Sequence, residues 1–236
     1  LNIDIYNYAF SITHSPFGKV YYESILKKHN KEKNGTFIIT VDPWSISSWS
    51  EDPNDLTQFI ENNLNLGQTN CVSSNPNFEY LYKNLKGNYE DIISPPTKRI
   101  YLHKNGWLEI KGIKMDSISV DKRIQQKVKT YRTEYLPKTN FSQVRLDYLV
   151  QTIKYFKNYG KVYLVRIPVH SSMMSIENEM MPNFNSVIKE AITLSDDYLD
   201  LTIYNDEYLY TDGNHLYKSS GKEVSENIAN WIKEKE

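Results

Sequence analysis

Apolar and polar residues alternate from Leu1 to Asn7, and this period of two predicts a strand. Ser15-Pro16-Phe17-Gly18 is a turn sequence. Val20, Tyr21, Ile25 and Leu26 then recur on one side of a helix that is expected to end near His29. A charged link from Lys27 to Asn34 closes on Gly35. The run Phe37-Ile38-Ile39-Thr40-Val41 predicts a short strand buried on both faces, as in a parallel sheet.

From residue 43 to about 135 the regular pattern lapses. This stretch holds Trp44, Trp49 and Trp107, several prolines and no long strand pattern. Asn54–Leu64 and Pro76–Leu85 read as short helices, and Tyr101–Ile113 as a hairpin turning at Lys104-Asn105-Gly106. The segment is read as an insertion between two sheet strands, forming a cap or one wall of a cleft within a single domain spanning 1–236.

Periodicity returns at Ser142. Val144, Leu146, Tyr148, Leu149, Ile153 and Phe156 predict a long helix ended by Gly160. Val162–Ile167 is the clearest strand, and Pro168 stops it. Met180–Leu194 reads as helical after Pro182, and Leu199–Tyr204 as a last strand. Ser220-Gly221-Lys222-Glu223 fits a capping box that opens a final helix with Val224, Ile228, Trp231 and Ile232 on one face. Alternating strands and helices predict an α/β fold whose mainly parallel sheet carries helices on both faces. In such sheets ligands sit beyond the carboxyl ends of the strands.

Composition adds exclusions more than assignments. A net charge of -1 gives no basic stripe for nucleic acid. No run of 18 apolar residues is present, so no transmembrane helix is expected. Cys71 is the single cysteine, which excludes an internal disulfide and leaves the compartment open. An upstream signal would make the protein extracytoplasmic or cell-surface. The 19 tyrosines fit the lining of a sugar- or peptide-binding cleft, but AT-rich codons account for them as well.

The strongest chemical signal is Tyr210-Thr211-Asp212-Gly213-Asn214-His215-Leu216, between the last strand and the last helix. A hydrolytic serine needs a base near neutral pH, and imidazole suits it. The imidazole needs an acceptor that fixes its tautomer and stabilises its cation, and an Asp three residues earlier can supply that on one tight turn. The plain alternative is a surface loop in which Asp212 caps a turn and His215 is solvated.

Asp212-Gly213-Asn214-His215-Leu216, followed by Gly221 and a helix, resembles the last block of the SGNH/GDSL ester hydrolases. The strand order outside the insertion is also similar to theirs. The resemblance is closest to a cell-surface branch with cap insertions, loosely related to polysaccharide acetylation proteins. It implies a flavodoxin-like, doubly wound three-layer sandwich in which Asp212 and His215 are the acid and base of a Ser-His-Asp triad. It also implies a central strand and a nucleophilic serine ahead of Leu1, because Leu1 begins in what reads as the family's second strand. A strand–helix unit takes roughly 25 to 30 residues. The missing strand would separate Leu1–Asn7 from Phe37–Val41 by about 10 Å.

Other family blocks match poorly. No Gly-x-Ser follows the first strand, and Asn7–His14 has no glycine for an oxyanion amide. Any main-chain amide near Ser11, Thr13 or His14 could still serve. Val41-Asp42-Pro43-Trp44-Ser45 stands where Gly-x-Asn-Asp is expected, so the oxyanion Asn is absent. Asp42, His14 and His170 follow strands and are pocket candidates, with local loop roles as the plainer reading. Ser171 and Ser172 read as loop residues, and Met173, Met174, Met180 and Met181 as packing. No spacing supports a metal, and no cofactor is implied. The expected substrate is a small-molecule or glycan ester, and the oligomeric state is left open. The competing reading is a non-catalytic glycan-binding or scaffold protein on the same fold.

Overall fold

A computed structural model of the chain describes residues 5–14, 16–72, 77–84 and 99–235. Its centre is set by the most apolar strand in the sequence. Val162, Tyr163, Leu164 and Val165 are all buried, so this strand must be covered on both faces. It forms β2 (Gly160–Arg166), flanked by β1 (Gly35–Thr40) and β3 (Asp197–Asp200) in the order β1-β2-β3. Both pairings are parallel, with Ile38 opposite Tyr163 and Val165 opposite Leu199. The chain is therefore an α/β protein with a parallel sheet.

Alternation along β2 divides the core. Val162 and Leu164 pack with Leu149 and Ile153 of α3 (Gln143–Lys157) and with Ala191 of α5 (Lys189–Leu194). Tyr163 and Val165 pack with Val224, Ile228 and Ile232 of α6 (Lys218–Lys233). α1 (Lys19–Lys28), α2 (Ser117–Thr130) and α4 (Ser171–Met180) complete the longer helices. α3 starts where Ser142 accepts the Arg145 N–H, a side-chain cap at the predicted position.

β1 departs from its expected environment. Its apolar run predicts burial on both faces, yet Thr36, Ile38 and Thr40 are exposed, Ile38 by 45%. Gly35 and Val41 donate their N–H groups toward β2. By the two-residue period of a strand, Thr36, Ile38 and Thr40 turn theirs to the opposite edge. Among the described residues no strand pairs with that edge.

The expected strand at Leu1–Asn7 is corrected where it can be seen. Residues 1–4 lie outside the described residues, and Ile5, Tyr6 and Asn7 form no strand. Alternation alone does not make a ladder without a partner edge, and this segment is held by other contacts. The Asn7 N–H donates to the Asn105 carbonyl at 2.7 Å, and the Tyr8 ring stacks on Tyr21 at 6.1 Å. Residues 5–12 and β1 instead line the same cleft.

The insertion has its hairpin, Ile100–Leu102 against Leu108–Ile110, with Gly106 at φ 83° in the turn. Asn54–Leu64 is two 3-10 segments rather than a helix. Phe78–Asn84 is helical, while Pro76 and Leu85 lie outside the described residues. Three later boundaries also change. Ser171 and Ser172 open α4 instead of sitting in a loop, because His170 caps it through Nδ1 and the Ser172 N–H. The last strand ends at Asp200, and Thr202–Glu207 continues as 3-10 turns. Ser220 does not cap α6, which starts at Lys218; its hydroxyl accepts the Leu209 N–H at 2.9 Å.

Candidate acid–base site

Thr211–His215 is a closed loop because the chain pairs with itself at its base. Tyr210 and Leu216 form an antiparallel bridge, and the Thr211 N–H donates to the His215 carbonyl at 2.8 Å. Inside the loop, Asp212 Oδ1 accepts the N–H groups of Asn214 and His215, both at 3.1 Å. The carboxylate is thus fixed before it meets the ring. Gly213 is needed for close approach, since a Cβ there would stand 2.6 Å from Met173 Cγ.

His215 Nδ1 lies 2.9 Å from Asp212 Oδ1 and 3.0 Å from Oδ2. A carboxylate only accepts, so Nδ1 carries the proton and Nε2 is left as the acceptor. The His215 side chain is 69% exposed, while that of Asp212 is 21% exposed. Burial alone would raise the Asp212 carboxyl. The His215 hydrogen bond and the charges of His215 and Lys127 outweigh it and hold Asp212 well below the usual carboxylate range.

Both side chains border a cleft of about 1360 Å³ that also takes in β1, residues 5–12 and the turn after β1. The insertion reaches the same cleft through Trp44, Tyr131 and Tyr135. Lys127 from α2 pairs with Asp212 Oδ2 at 3.2 Å, and Asn214 Nδ2 donates to the Tyr131 hydroxyl at 2.7 Å.

The remaining candidates divide. Ser11 borders the cleft, but its hydroxyl is engaged with His14 Nδ1 at 2.8 Å, and Thr13 Oγ1 lies 3.2 Å from the same nitrogen. The His14 amide is already used on the Ser11 carbonyl, which removes it as an oxyanion donor in this conformation. Asp42 borders the cleft and closes a turn, accepting the Ser45 N–H at 2.8 Å. His170 caps α4 and meets the Tyr210 ring edge-on at 5.6 Å, so its contacts serve the scaffold. Among the described residues no three of His, Cys, Asp and Glu gather to hold a metal ion, and no helix is long and apolar enough to cross a membrane.

A buried ion pair beside the cleft has no local signal in the sequence. Arg166, at the end of β2, donates to Glu177 Oε2 at 3.0 Å and stands 3.8 Å from Asp200. Burial, followed by the charge of Asp42, pushes the Glu177 carboxyl up to about 7 despite Arg166. Its folded form binds a proton more tightly than the unfolded chain does. The resulting stability is full below about 4.5 and is lost as pH rises through about 7. Glu177→Gln keeps an acceptor for Arg166 and removes the titration. We expect the fall in unfolding free energy between pH 5 and pH 8, on the order of 2 kcal/mol in the parent, to shrink in this variant, while the Asp42 carboxyl, which burial also raises, keeps its own share. Denaturant titrations at several pH values measure it, and an unchanged slope would exclude Glu177 as its source.

No family model, curated protein or solved structure matches the chain.

Proposed function

We propose that this chain carries the acid–base half of a serine ester hydrolase or acyltransferase of the SGNH type, a doubly wound three-layer sandwich. One observation carries the reading. A histidine with Nδ1 fixed on an aspartate borders a large cleft that runs along β1 and reaches the carboxyl ends of the parallel strands, where such sheets place their chemistry. A serine on a segment outside Leu1–Glu236 would attack the acyl carbonyl and pass its proton to His215 Nε2. The imidazolium, stabilised by Asp212, would protonate the leaving alcohol as its bond to the acyl carbon breaks. Water or an acceptor alcohol would then repeat the sequence and release the serine. The edge of β1, which no strand among the described residues pairs with, supports this reading, since a parallel strand laid there would run toward the His215 end of the cleft. Aromatic rings in the cleft wall suit an O-acylated carbohydrate.

The second reading is a glycan-binding scaffold. It is favoured by Asp42, which is tied into a turn where an ester hydrolase of this type needs an oxyanion-holding Asn. A fluorophosphonate probe separates the two. A polypeptide extended upstream of Leu1 should be labelled on a serine, and the Leu1–Glu236 chain should not. An extended polypeptide that resists the probe yet binds acylated oligosaccharides would overturn the hydrolase reading.

A further inference from the structure

Three residues of the insertion fall at i, i+4 and i+8 along α2 and its π-helical continuation (Tyr131–Tyr135), and this spacing puts them on one face. All three grip the acid–base loop. Arg123 Nε donates to the Thr211 carbonyl at 2.6 Å, Lys127 Nζ pairs with Asp212 Oδ2 at 3.2 Å, and the Tyr131 hydroxyl accepts from Asn214 Nδ2 at 2.7 Å. The stem of Lys127 also packs on the loop, since a Cβ on Gly213 would stand 3.6 Å from Lys127 Cγ. Arg123 is itself braced, donating through Nη2 to the Lys114 carbonyl at 2.6 Å.

We propose that α2 positions the acid–base pair, and that Lys127 is the positioning residue that divides the charge of Asp212 between itself and the His215 ring. The proposal rests on the reading of Asp212 and His215 as that pair. A carboxylate beside an imidazole strengthens it as a base, and a cation on the same carboxylate offsets the effect. Lys127 reacts with nothing in this scheme. It sets how tightly the ring holds its proton, and Arg123 and Tyr131 hold the loop in register.

Of the charged and titratable groups around the pair, Arg123, Lys127 and Tyr131 belong to α2 and its continuation and touch the loop. Asp42, in the turn after β1, and Glu177, on α4, line the same cleft. Burial, with the charges of Asp42, Tyr135 and Asp212, pushes the Tyr131 hydroxyl far up, so it stays neutral through any working range. Lys127 is therefore the group whose removal changes the charge against Asp212 directly.

The test uses the Leu1–Glu236 chain and needs no turnover. The ring resonances of His215 are followed by NMR across pH in the parent, Lys127→Met, Lys127→Gln and Lys127→Arg, with denaturation curves confirming that each is folded. The methionine and glutamine variants should move the ring titration upward by about half a pH unit or more. The arginine variant should keep it near the parent value. A titration unmoved in both neutral variants overturns the proposal, as does an equal shift in the arginine variant. Probe labelling of the extended polypeptide is read separately. Labelling that depends on His215 while the titration ignores Lys127 defeats this inference alone. A Lys127-dependent titration without labelling defeats the hydrolase reading alone.

Discussion

Replacing His215 with Ala is expected to lower ester turnover by about 10⁴-fold or more in a polypeptide that carries the proposed serine. The loss should fall on kcat, because the ring acts on the proton in flight and contributes little to holding the ground state. Asp212→Asn should cost nearly as much. Its amide can present a donor to His215 Nδ1 and favour the wrong tautomer, although its oxygen can still hold the Asn214 and His215 amides. Initial rates on a small acetyl ester, with folding checked by circular dichroism, measure both. If both variants keep within tenfold of the parent rate, the pair is a turn-capping motif and no more.

The second large effect concerns stability. Arg145→Ala is expected to destabilise the fold by about 3–5 kcal/mol, the cost of stranding a buried charge. Arg145 on α3 grips Glu61 of the insertion through two bonds, at 2.8 and 3.2 Å, with both side chains almost wholly buried. Its Nη1 also donates to the Phe17 carbonyl at 3.1 Å, and its guanidinium lies 4.0 Å above the Phe59 ring. A Cβ on Gly18 would stand 2.9 Å from Glu61 Oε1, so the turn before α1 is fitted against the same pair. Arg145 thereby fastens the insertion and the N-terminal segment to the sheet helix. Replacing both partners with Met should recover much of the loss, because no charge is then left unpaired. Urea titration compares the parent with the two variants. A single-variant cost below about 1 kcal/mol would mean that water reaches the pair.

What the sequence disclosed follows from the range of the forces involved. β2, α3 and the buried face of α6 are local patterns, and each was legible from a few residues. Asp212 and His215 were legible for the same reason, since three residues close their turn. Lys127 and Arg145 find their partners far along the chain, and nothing near either residue names the carboxylate it meets. α2 itself was readable and overlooked. Asp116 caps it, accepting the Ser119 N–H, and Val120, Ile124 and Val128 follow at intervals of four. The face of β1 misled because an apolar run reports what a strand is suited to, not what covers it.

That strand has a consequence for handling the chain. Proteins keep exposed sheet edges from joining one another with lysines, prolines or bulges. The β1 sequence, Gly-Thr-Phe-Ile-Ile-Thr, has no lysine or proline, and it pairs with β2 residue for residue. Among the described residues no strand pairs with its outer side, which also carries an exposed isoleucine. Such an edge is a template for any extended chain that reaches it. As the chain is concentrated, this ribbon of backbone is expected to seed edge-to-edge association.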